Sequence, residues 1–153
     1  MFAVGPVLAA DGDECTFDQA YLAEARTELA GRHPGGRIDA DGVSWRLDSG
    51  DVVTVGHGGC VDLGTVVRIA FAPGSSRTTE EAIDRLLTAT ARYWSAEDAR
   101  HLAATLSQGK FVTRVLDHGA IEYQSTRDET SRFTFGFTLT VSADVASVSW
   151  TDA

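Results

Sequence analysis

Phe133-Thr134-Phe135-Gly136-Phe137-Thr138-Leu139-Thr140-Val141 is the stretch that decides the class of fold. Its odd positions are all apolar and its even positions are small or carry a hydroxyl. A period of two places the first set on a buried face and the second on a wet one, which is the pattern of an antiparallel sheet covered on one side only. The Ala143-Asp144 turn follows, and Ala146, Val148 and Trp150 repeat the alternation in a last strand. Upstream, Phe111 to Leu116 and Ala120 to Ser125 flank Asp117-His118-Gly119 as a hairpin, with a polar tip from Arg127 to Ser131.

Before that hairpin the apolar period changes to that of a helix. Thr78 with Glu81 forms a capping box, and Ala82, Ile83, Leu86, Leu87 and Trp94 then fall on one stripe. Ser95 with Asp98 repeats the start signal, and Ala99, Leu102, Ala103 and Leu106 carry the stripe on to Gly109. Two starts predict two helices, or one helix bent sharply near Ser95.

The N-terminal half repeats the plan. Thr16 with Gln19 is a capping box, and Phe17, Tyr21, Ala25 and Leu29 predict a helix over 17–30, with Gly31 at its C-terminal cap and His33-Pro34-Gly35-Gly36 stopping it. Val43, Trp45 and Leu47 alternate, Asp48-Ser49-Gly50-Asp51 turns, and Val52 to Val55 is a β-branched run. Gly56-His57-Gly58-Gly59 reads as a turn into Cys60, and Val61 to Phe71 as a third strand ended by Pro73-Gly74. The predicted class is α+β with antiparallel sheet, in the order α-βββ-αα-ββββ, with the outline of a loose duplication. Strands that follow one another through tight turns exclude a doubly wound parallel fold.

At 153 residues the chain is long enough for one domain with a substantial core. Residues 11–153 are read as that domain. Residues 1–10 are read as the remnant of a signal peptide: Phe2, Val4, Val7 and Leu8 are apolar, Ala9-Ala10 are small, and the acidic Asp11-Gly12-Asp13-Glu14 follows abruptly, although the basic n-region is missing. That segment is shorter than the roughly 20 apolar residues that span a bilayer, and no other run reaches that length, so no membrane insertion is expected. Two cysteines after such a leader suit one disulfide, Cys15 with Cys60, in an oxidising periplasmic or secreted setting. Closing a loop of about 45 residues would add roughly 3 to 4 kcal/mol through the unfolded state.

The formal net charge of −9 argues against nucleic acid and against anionic lipid, both of which need clustered Lys and Arg. Residues 1–25 hold five acids, Asp11, Asp13, Glu14, Asp18 and Glu24, and no base, which would steer a basic partner toward that end.

Motifs for chemistry are weak. His57 three residues before Cys60 could activate a thiol, but a disulfide-bonded Cys60 is no nucleophile. His33, His57, His101 and His118 have no zinc spacing. Asp39-Ala40-Asp41-Gly42 lacks the first and last ligands of a calcium loop, since Arg37 and Asp48 stand there. Neither a Gly-x-Ser-x-Gly elbow nor a phosphate loop occurs, so no cofactor and no metal is expected.

The sequence therefore predicts a small exported, non-catalytic protein-binding domain. Its specific version is an inhibitor or immunity protein directed at a basic cell-wall-degrading effector. Candidate partner-binding residues are His57, Asp128, Glu129, Asp11 and Asp13, on the loops Gly56 to Gly59 and Arg127 to Ser131 and on the acidic N-terminal segment. The alternative is a small-ligand carrier or enzyme with its site on the concave face of the sheet, lined by Trp45, Tyr123, Phe133 and Trp150.

Overall fold

The computed structural model describes residues 18–58, 63–74 and 76–152. The first helix, α1 (Gln19–Gly31), is capped by Asp18, whose carboxylate accepts the backbone N–H groups of Ala20 at 2.7 Å and Tyr21 at 3.4 Å. The expected cap, Thr16, lies outside the described residues, as do Phe17, Asp11, Asp13 and residues 1–10. Leu22 and Leu29 are the buried residues of α1, which packs over the first three strands.

Four strands follow instead of the expected three: β1 (Arg37–Asp39), β2 (Gly42–Arg46), β3 (Val52–Gly58) and β4 (Gly64–Ala70). Strand β1 is fully exposed, so no apolar alternation marks it. Strand β3 also runs on through Gly56, His57 and Gly58, where the glycines suggested a turn. Gly56 pairs with Val66, and a Cβ there would lie 2.2 Å from the carbonyl oxygen of Asp41. This glycine serves the close approach of the β1–β2 turn to the sheet, not chain reversal.

Helices α2 (Thr79–Tyr93) and α3 (Ala96–Ser107) are separate, each with the expected start. Thr78 and Glu81 form the reciprocal capping box, and Ser95 accepts the Asp98 N–H at 3.1 Å. The second meander is β5 (Phe111–Val115), β6 (Ile121–Ser125), β7 (Phe137–Val141) and β8 (Val145–Thr151). Strand β7 is shorter than the alternation from Phe133 predicts. Gly136 adopts φ 82° and donates its N–H to the Phe133 carbonyl at 2.8 Å, so the chain turns before the strand begins. Phe133 is consequently buried while Phe135 is 44 % exposed.

The strands form one antiparallel sheet in the order β1-β2-β3-β4-β8-β7-β6-β5. Each half contributes four strands, and the last strands of the halves pair at the centre, where Val67 faces Val148. The order is therefore α-ββββ-αα-ββββ, one strand more in the first half than expected. Cys15 and Cys60 both lie outside the described residues, and the structure does not show the disulfide between them.

The helices cover one face only. Val43, Trp45, Val53, Val55, Val67, Ile69, Leu139, Val148 and Trp150 point from the sheet into a core completed by Leu86, Leu102 and Phe133. Each fully buried side chain of this size contributes about 1.5 to 3 kcal/mol of transfer free energy, which fixes which face turns inward. Among the described residues no helix is long and apolar enough to cross a membrane.

Candidate binding site on the uncovered sheet face

The residues alternating with that core define the opposite face. Ser44, Thr54, Thr138, Thr140, Ser147 and Ser149 lie there, and Ser44 and Thr54 bond across β2 and β3 at 2.8 Å. Arg46, Arg68, Arg114 and Glu122 stand on the same face, with Arg68 between Thr54 and Ser147 at mid-sheet, so short hydroxyl side chains surround a few charged ones. At one end the surface deepens into a cavity of about 300 Å³. Two paired glycines, Gly58 and Gly64, line it without side chains, Val66, Thr138 and Ser149 also border it, and Phe135 stands at its margin.

The β6–β7 connection builds that margin. A Cβ on Gly136 would meet the Ser125 carbonyl oxygen at 2.8 Å, so only glycine lets the connection close onto β6 and hold Phe135 outward. The Arg127 guanidinium lies 4.9 Å from the centre of the Phe135 ring, a cation–π contact that orients it. Val66, 42 % exposed, faces the same cavity. Exposed apolar groups beside many small donors and acceptors form a surface suited to docking.

His57 lies on the other face of the sheet. Its ring meets Trp94 edge-on at 5.0 Å, and its Nδ1 is 3.4 Å from the Thr65 hydroxyl. Thr65 reaches Asp152 at 3.5 Å, and Asp152 accepts Arg132 Nη1 at 3.2 Å. Arg132 grips Asp98 through Nε at 2.9 Å and Nη2 at 3.3 Å, while Trp94 Nε1 donates to Asp98 at 2.9 Å. The circuit closes back on His57. Burial lowers the His57 pKa from its ordinary 6.5, a shift opposed by the Gly64 backbone bond and the charge of Asp152 and reinforced by Arg32 and Arg26. The imidazole is therefore mainly neutral near pH 7 and acts as a packed partner of Trp94. A smaller cavity of about 180 Å³ opens beside it, bordered by Tyr21, Leu29, Arg32 and Leu63.

The expected partner-binding residues do not converge. His57 is enclosed under α1 and the α2–α3 junction, whereas Asp128 borders a separate cavity of about 260 Å³ with His101 and Lys110. Asp128 accepts both the N–H and the hydroxyl of Thr130, at 2.9 and 2.7 Å, and these bonds lower its pKa. Glu129 is exposed beside it. Arg132 joins the two regions, because it leaves the same connection and ends in the His57 circuit. The residues expected to line a concave site are placed otherwise: Trp45, Phe133 and Trp150 are core, and Tyr123 packs edge-on against Phe111 at 5.3 Å.

Among the described residues no group of three metal-type side chains comes together. The uncovered face was legible as the wet positions of the alternation. The His57 circuit was not, since its members come from β3, β4, the α2–α3 junction, the β6–β7 connection and the C-terminal end. Compared with family models, curated proteins and solved structures, the chain matches none.

Proposed function

We propose that this chain is a non-catalytic, exported domain that binds another protein, a basic one, through its uncovered sheet face. One observation carries the reading: the cavity between Gly58, Gly64 and Phe135 lies on that face, floored by strand residues and walled on one side by the β6–β7 connection through Ser125, Phe135 and Gly136. Two exposed apolar side chains, hydroxyls and glycine backbone supply shape and hydrogen bonds in a cavity whose lining carries no charged side chain. Charge then supplies the choice of partner. The net charge of −9, together with Asp128 and Glu129 on the wall-forming connection, favours encounter with a basic protein. In its specific form the domain is an inhibitor or immunity protein that shields against a basic cell-wall-degrading enzyme.

Export and a disulfide between Cys15 and Cys60 belong to the same proposal. A mass about two hydrogens below the reduced value, with no free thiol, is expected of the protein isolated from its native compartment. Two titratable thiols there would remove this part of the reading.

The binding role is tested by capture from the exported fraction with the wild-type protein and with Phe135→Ala. A basic protein should be retained at low salt, released as salt rises, and lost to the variant at unchanged melting temperature. Equal retention by both proteins would show that the groove is not the contact surface.

A further inference from the structure

The two edges of the sheet are built differently. Strand β1 has three residues, too few to template much pairing, whereas β5 has five and exposes Val112 at 63 % and Val115 at 74 %. An apolar edge strand of that kind is a template for another strand unless it is covered or interrupted. Neither a proline nor a bulge interrupts β5.

Its hydrogen bonding can be assigned by position. The Leu116 N–H bonds to the Ala120 carbonyl at 2.7 Å, and the register continues as Arg114 with Glu122 and Val112 with Gln124. These residues exchange their backbone bonds with β6, so Thr113 and Val115 turn their N–H and C=O groups outward, as antiparallel alternation requires.

We propose that β5 pairs antiparallel with β5 of a second copy of this chain, about a two-fold axis at Thr113, joining two eight-stranded sheets edge to edge. The occupant is a second copy because the strand complements itself. In that register Thr113 faces Thr113, Phe111 faces Val115 of the other copy, and Val112 faces Arg114. No like charges stand directly opposite; Arg114 lies diagonal to Lys110 and Arg114 of the other copy, its charge met by Glu122 of its own sheet at 3.0 Å, and the exposed valines gain apolar or aliphatic neighbours. The same patch serves both chains, as a two-fold interface demands. This edge is separate from the cavity on the uncovered face, so the two proposals stand independently.

Sedimentation equilibrium of the full chain from about 1 µM to about 1 mM tests it. The wild-type protein should pass from one chain to two across that range. Thr113→Pro removes an outward N–H without touching the β5–β6 ladder, and Val115→Lys places a charge opposite Phe111. Each should weaken self-association at least about tenfold, with the circular dichroism spectrum unchanged. Should one variant fail to fold, the other carries the comparison. A wild-type protein that stays a single chain throughout, or folded variants that dimerise as tightly as it does, would overturn the proposal.

Discussion

Arg132 holds the carboxylate of Asp98 with two bonds, Nε to Oδ1 at 2.9 Å and Nη2 to Oδ2 at 3.3 Å, and so ties the β6–β7 connection to the first turn of α3. The Asp98 side chain is only 7 % exposed and that of Arg132 32 %. Removing the guanidinium leaves a largely buried carboxylate with Trp94 as its remaining side-chain partner. Arg132→Met should therefore lower stability by about 2 to 3 kcal/mol, less than for a fully buried pair because Arg132 is partly solvated. The double variant with Asp98→Asn should recover part of that loss in urea titrations. A single-variant loss below about 0.5 kcal/mol would show that the pair is not an anchor.

His57 predicts a pH dependence of definite sign. Its folded-state pKa lies below 6.5, so between the two values the unfolded chain binds more protons than the folded one. Stability should rise with pH through that window, be fully present above pH 6.5, and fall as the solution is acidified below it. His57→Gln should flatten this limb of the melting profile, leaving the carboxylates to act at lower pH. An identical acid limb in the variant would mean that the ring is hydrated in solution.

Gly56 tests the close approach between the β1–β2 turn and β3. Its substitute Cβ would lie 2.2 Å from a backbone oxygen of Asp41, which no side-chain rotation relieves. Gly56→Ala should cost about 2 kcal/mol or more and loosen β1. Gly58→Ala, whose Cβ meets nothing within 4 Å, should be nearly neutral. Guanidinium titration of the two variants side by side checks the contrast.

Thr78 offers a local test of α2. Its hydroxyl accepts the Glu81 N–H at 3.1 Å, while the Glu81 carboxylate lies 3.4 Å from the Thr78 N–H. Thr78→Ala should cost about 1 kcal/mol, and Glu81→Ala less, in thermal unfolding.

What the sequence made legible was local. Thr78 with Glu81 and Ser95 with Asp98 placed two helix starts, because a cap is read within four residues. Alternation likewise assigned Val43, Trp45, Val67, Ile69, Leu139 and Val148 to one buried face. The failures came where tertiary contact overrode a local preference. Gly56 and Gly58 read as turn residues, yet that segment pairs with Gly64 to Val66 of β4 and continues the strand. Phe133 to Phe137 read as strand, yet Gly136 turns the chain and moves Phe135 out of the core. Arg37 to Asp39 carry no buried residue, so only their pairing with β2 makes them a strand. The candidate site shared this limit: its hydroxyl shelf followed from the alternation, but the meeting of Gly58, Gly64 and Phe135 depends on β4 pairing with β8, far apart in the chain.

Site-specific photo-crosslinking in the native compartment tests whether the uncovered sheet face is the recognition surface. A photoreactive side chain replaces Val66 or Phe135 on that face, and Glu28 or Glu97 on the helical side serves as control. Val66 and Phe135 should crosslink to one basic protein, and the helix positions should not. Crosslinks confined to Glu28 and Glu97 would contradict it and move the recognition surface to the helices.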